Sequence, residues 1–155
     1  MNPDKKIRRL QSLLYTSGIG AILFSLWSGI RGIEVAYAFF RQAPPIDDSI
    51  VMDKSMSVIA GIFIFVLVFI SIAWNLYIGR KAILASLNRK TGNLYIVLAI
   101  LVLLTSVISY LFDFVTRPPS EWFHTDDIIM AMINLTSNII LAEVIVYSIL
   151  LKKLR

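Results

Sequence analysis

The chain has 155 residues, enough for one domain, and 57% of them are hydrophobic while only 16% are charged, a balance too apolar for a water-soluble fold of this size. A net charge of +5 would suit nucleic acid, but the basic residues sit at the ends of apolar runs and not on a polar face, so lipid is the expected partner and direct nucleic-acid binding is not. Cysteine is absent, which excludes disulfides, thiolate metal sites and thiol chemistry.

Four runs are long enough to cross a bilayer as helices, at about 10–30, 56–79, 94–115 and 127–151. Backbone amides in hydrocarbon must bond within their own segment or in a closed barrel, and barrel strands would be shorter and would alternate polar with apolar. The expected fold is therefore an all-α integral membrane protein, a single four-helix transmembrane domain over residues 1–155 built as two helical hairpins.

The first span follows Lys5, Lys6, Arg8 and Arg9, and no A-x-A-like cleavage site ends it, so a retained helix is expected rather than a signal peptide. Ser17, Ala21, Ser25 and Gly29 recur at i,i+4, with Ser28, Gly32 and Ala36 on an adjoining line. Small residues at that spacing let two helix backbones approach closely. The neighbour is either another helix of this chain or the same helix of a second copy. The helical pattern continues through Arg31 and Glu34, an i,i+3 pair, to Phe40 before Pro44 and Pro45 stop it.

Asp48 or Ser49 could cap the second helix, and Ala82 to Leu87 carry its pattern beyond the apolar run until Gly92 ends it. The third span places Ser106, Ser109, Tyr110 and Asp113 at i, i+3, i+4 and i+7, one inward face. Asp113 lies four residues before Arg117, and an interfacial ion pair is preferred to the mouth of a polar pathway, because charges near span ends reach water cheaply.

Two proline- and aspartate-bearing segments, around Pro44–Asp48 and Pro118–Asp127, resemble one another. Their spacing is uneven, and hairpin turns attract such residues, so the likeness is assigned to turn chemistry rather than to duplication. His124 stands in the second segment near Glu121, Asp126 and Asp127; a lone loop imidazole among acids reads as solvated, and no metal is expected.

On the fourth span Asn134, Ser137, Asn138 and Ser148 fall on one side, with Thr136, Glu143 and Tyr147 nearly opposite. This helix is expected to be central, buried on two faces or lying between subunits. Glu143 is close to the middle of its span, where an ionised side chain costs roughly 3 kcal/mol or more. It must be neutral, paired or facing water. Either it is a proton or cation site, or it is packing glue bonded to Tyr147, Asn75 or a backbone carbonyl.

Lys5 to Arg9, Arg80 to Lys90 and Lys152 to Arg155 alternate with acidic connections, which predicts both termini in the cytoplasm of a plasma membrane, most simply a bacterial inner membrane. No Walker loop, nucleophile elbow or HExxH pattern occurs, so neither catalysis nor a cofactor is expected. In topology, though not in any motif, the chain resembles the four-span immunity proteins that guard bacteria against pore-forming colicins, and more loosely the membrane subunits of phage defence. That resemblance implies a protective role exercised through helix contacts and outer loops. The leading expectation is thus a non-enzymatic, homo-oligomeric membrane subunit, a scaffold, sensor or protective component with a membrane or cytoplasmic protein partner. The alternative is a small ion or proton channel or transporter that uses Glu143 and the polar faces of spans three and four, with Asn134, Asn138, Thr136, Asp113 and Ser109 as candidate polar residues.

Overall fold

A computed structural model describes residues 3–41, 54–116 and 125–154. They form four helices, α1 (Pro3–Arg41), α2 (Lys54–Ser86), α3 (Leu94–Thr116) and α4 (Thr125–Lys153), and no strand occurs among them. Each helix is long and apolar enough to cross a membrane. The proline-bearing segments, the proposed caps at Asp48 and Ser49, and His124 lie outside the described residues, as do the side chains of Arg31 and Asp113.

The α2 helix ends through backbone geometry at Asn88, ahead of Gly92. Arg89 N donates to Leu84 O at 3.1 Å and Asn88 N to Ala85 O at 3.2 Å, with Asn88 at a φ of 65°. This pairing is a Schellman motif, in which asparagine tolerates the left-handed conformation and the last carbonyls find donors. Asn93 opens α3, its carbonyl accepting from Ile96 N at 3.0 Å. The Lys152 ammonium then ties this turn to α4, bonding Asn93 Oδ1 and standing 5.4 Å from the Tyr95 ring centroid.

The end of the bundle that carries this turn and both terminal segments is basic, and it is also where the core closes. Leu10 and Leu14 of α1, Ile78, Ala82 and Ala85 of α2, Tyr95, Ile96 and Ala99 of α3, and Leu141, Val144 and Leu151 of α4 form one buried cluster. Measured from it, α1 and α2 run roughly seven to ten residues, or about 10–15 Å, further than α3. Beyond the cluster, large apolar side chains such as Phe63, Phe69, Leu104 and Ile108 are mostly exposed, a jacket suited to hydrocarbon rather than water.

The α1 and α2 helices make the most extensive pairing, and α1 also packs on α4, so α1 and not α4 is the most enclosed helix. The reason is steric. A methyl group placed at Gly79 would stand 2.7 Å from the Gly18 carbonyl oxygen, and one at Gly18 would stand 3.0 Å from the Gly79 oxygen. Here the two backbones touch, an approach that only small residues permit. Further along, Ser25 Oγ donates to Ile72 O at 3.1 Å, and methyls at Gly29 and Gly32 would meet Ile72 and Val68.

Ser17, Ala21, Ser25 and Gly29 are all buried, and the neighbours that the structure gives Ser17, Ser25 and Gly29 belong to α2 and α4 of the same chain. Ser25→Leu removes a bond and overfills this contact, so it is expected to cost about 1–3 kcal/mol. Gly29→Leu acts in the same direction, whereas Leu26→Ala, at a half-exposed position, should stay within about 0.5 kcal/mol. Thermal unfolding of the three variants in detergent tests this ranking, and equal stability among them contradicts it.

Candidate functional site

Where the apolar cluster stops, half-buried and exposed polar side chains face the open space between the helices. Ser28 of α1, Ser71 and Asn75 of α2, Thr105, Ser106 and Ser109 of α3, and Asn134, Ser137 and Asn138 of α4 line a cavity of about 590 Å³, whose apolar lining is Leu67, Val102 and Leu141. Helical spacing explains the convergence. Asn134, Ser137, Asn138 and Leu141 are three or four residues apart and so share one face of α4, as Val102, Thr105, Ser106 and Ser109 do on α3 and Ser71 and Asn75 on α2.

Among the described residues, no lining side chain is charged. Two of the polar groups are used locally: Thr105 Oγ1 donates to Leu101 O and Val102 O at 2.9 Å, and Asn75 Nδ2 donates to Ser71 O at 3.0 Å. Among the described residues, the side chains of Ser28, Ser106, Ser109, Asn134, Ser137 and Asn138 make no hydrogen bond within the protein. Together they present four hydroxyl donors or acceptors and two amide groups to one space.

A smaller space of about 110 Å³ shares Ser28, Asn75, Asn134 and Ser137 with this cavity and extends it between α1 and α4 to Phe24, Ser25, Trp27 and Ile133. Phe24, Trp27 and Ile133, joined by Leu23, also line an apolar groove of about 290 Å³ on the outside of the same gap. On the α3 side, Ser106, Ser109 and Asn134 are shared with a space of about 190 Å³ that reaches Tyr110.

Of the residues that the sequence singled out, Asn134, Asn138 and Ser109 come together here. Thr136 does not: it is exposed, and its Oγ1 donates to Met132 O of its own helix at 2.8 Å. Glu143 does not either. It is half-buried on the α1 side of α4, where Ser17 Oγ donates to its Oε2 at 2.7 Å. Its partner is therefore Ser17 rather than Tyr147, Asn75 or a backbone carbonyl, because α1 approaches α4 closely enough for a methyl at Gly20 to stand 3.2 Å from Ile140 Cδ1. Ser148 is buried in the basic half, near the closed core, away from the asparagines that share its helix face.

Ser71, Asn75 and Thr105 were not singled out as site residues by sequence reasoning. The only available signal was the presence of amide and hydroxyl groups on otherwise apolar spans, and α2 is apolar on all sides, so its pattern gives no facing direction. No group of three or more potential metal ligands occurs among the described residues. Comparison with protein-family models, curated proteins and solved structures finds no match.

Proposed function

We propose that the chain is a multi-pass protein of a bacterial inner membrane, crossing it four times with both termini in the cytoplasm. In this reading it is a non-enzymatic, homo-oligomeric subunit of sensor or protective type whose polar cavity is the working site. The apolar jacket supports membrane residence, and the gathering of Arg8, Arg9, Lys81, Lys90 and Lys152 at one end supports the orientation. Oligomerisation would use the uncovered face of α2, only 6% of whose most apolar window is buried.

The observation that carries the reading is the convergence of uncharged polar side chains from four helices on one cavity of about 590 Å³. Hydroxyls and amides without internal partners are costly among apolar helices, so a ligand or water must satisfy them. The size falls within the range of small-molecule sites, roughly 300–1,000 Å³.

A channel or transporter is the second reading, favoured by the same polar lining. It requires the apolar cluster at Leu14, Ile78, Ala99 and Val144 to open, or a route past Glu143 along the α1–α4 contact, outside the cavity.

Because the chain has no cysteine, single replacements test the proposal cleanly. Asn138→Cys and Ser109→Cys should react with a hydrophilic, membrane-impermeant thiol reagent applied from the outer side. Lys81→Cys should react only from the cytoplasmic side, and Phe69→Cys from neither. Failure of both cavity positions to react rejects the cavity as a working site; labelling of Lys81→Cys from outside rejects the orientation.

A further inference from the structure

The polar cavity is not closed toward the flank of the bundle. Its α1–α4 wall leads, through the space lined by Ser25, Ser28, Asn75 and Ser137, to the groove formed by Leu23, Phe24, Trp27 and Ile133. One side of this continuous path carries mostly hydroxyl and amide groups, with Leu67, Val102 and Leu141 among them; the other carries none and lies on the apolar outer surface, with Leu23 and Trp27 exposed. Such a path matches a molecule that is itself divided into a polar and an apolar part.

We infer that the α1–α4 gap is a lateral binding site for a membrane amphiphile, with its headgroup in the cavity and a hydrocarbon chain along the groove. This rests on the cavity being the working site and names its ligand class. The headgroup is specified by what lines the cavity. Serine hydroxyls and asparagine amides offer donors and acceptors in mixed array, and among the described residues no lining side chain of either sign is available to neutralise an ionic group. An uncharged, hydroxyl-rich headgroup fits, as in a glycosyl diacylglycerol; an anionic headgroup would enter without a cation. Aromatic side chains at the groove fit the other half, since Phe24 and Trp27 give an alkyl chain apolar contact where the path leaves the bundle.

The full chain, reconstituted in phosphatidylcholine vesicles containing a glucosyl diacylglycerol with a photoactivatable acyl chain, tests the site. Crosslinks are expected on Leu23, Phe24, Trp27 and Ile133, and not on Phe63 or Ile108 elsewhere on the surface. Asn138→Leu and Ser109→Leu each remove polar groups from the cavity, and the pair together should lower labelling about tenfold, the effect of losing hydrogen bonds of ordinary strength. Asn138→Gln should retain most of it, and Phe69→Leu should leave it unchanged.

Uniform labelling around the bundle overturns the inference, and so does equal labelling by a phosphatidylglycerol probe, which sinks the uncharged headgroup. A groove occupied by a second copy would show instead as crosslinks between chains at Trp27, which also overturns it. Thiol reactivity of Asn138→Cys separates the two levels: a reactive cysteine without lipid crosslinks rejects the amphiphile and keeps the cavity, while an unreactive one rejects both.

Discussion

Gly79→Leu is expected to abolish the folded bundle, the largest effect of any single substitution considered for this chain. At Gly79 the α2 backbone lies against the α1 backbone, and an added methyl would stand 2.7 Å from the Gly18 carbonyl oxygen and 2.6 Å from Ile22 Cγ1. A side-chain atom can rotate away, but a carbonyl in a helix can move only with its helix. Leucine there would force α1 from α2 and open the Ser25–Ile72 bond and the Gly32–Val68 contact further along the same pair. Gly79→Ala is the milder case, with an expected cost of about 1–3 kcal/mol from overpacking. Two controls sharpen the test. Gly92→Ala should be silent, because nothing lies within 4 Å of an added methyl. Ile22→Ala relieves the side-chain clash but not the carbonyl clash, so it should not rescue Gly79→Ala. Thermal stability and monodispersity in detergent are the readouts, and full rescue by Ile22→Ala would show that backbone approach is not the constraint.

Why Gly79 escapes notice in the sequence while the stripe on α1 does not is a matter of where information resides. Ser17, Ala21, Ser25 and Gly29 repeat along one helix, and a repeat is visible in one sequence. Gly79 stands alone, and its partner Gly18 is on another helix, so their meeting is a property of the packed pair. The four apolar helices were legible because bilayer-length apolar runs leave the backbone few alternatives. The helical pattern read as far as Leu87 matches the end of α2 at Ser86, but the residue that stops it differs: Asn88, rather than the more obvious Gly92, takes the left-handed position.

The cavity was half legible for the same reason. On α4 the 100° spacing places Asn134, Ser137 and Asn138 together, and on α3 it places Ser106 with Ser109, so two walls could be read. Ser71 and Asn75 lie on a helix that is apolar all round, where no moment says which side faces inward. Thr136 looked equivalent to its neighbours but bonds back to its own helix, a local use that helical spacing does not reveal. The pairing of Ser17 with Glu143 spans 126 positions in the chain, and no pattern within either helix announces it.

That pairing supplies the second large effect, which also separates the two functional readings. Glu143→Leu is expected to destabilise the protein by about 1–3 kcal/mol, because Ser17, only 4% exposed, would keep a buried hydroxyl with no acceptor. Glu143→Gln keeps an amide oxygen in place of the carboxyl oxygen that accepts from Ser17, so stability should stay near that of the parent. Replacing both partners, Ser17→Ala with Glu143→Leu, removes donor and acceptor together and should cost less than the sum of the single changes. The resulting coupling is expected near 1 kcal/mol, as for other interhelical bonds in membranes. Under the proposed function Glu143→Gln also leaves biological activity and cavity labelling intact, since the carboxyl ties α1 to α4 outside the cavity. A channel that used Glu143 to carry protons would behave in the opposite way: both Glu143 variants would assemble, and pH-dependent flux in liposomes would vanish in each. Stability unchanged in Glu143→Leu, together with flux abolished in Glu143→Gln, would make this residue a conducting group rather than a helix tie and would move the assignment to the channel.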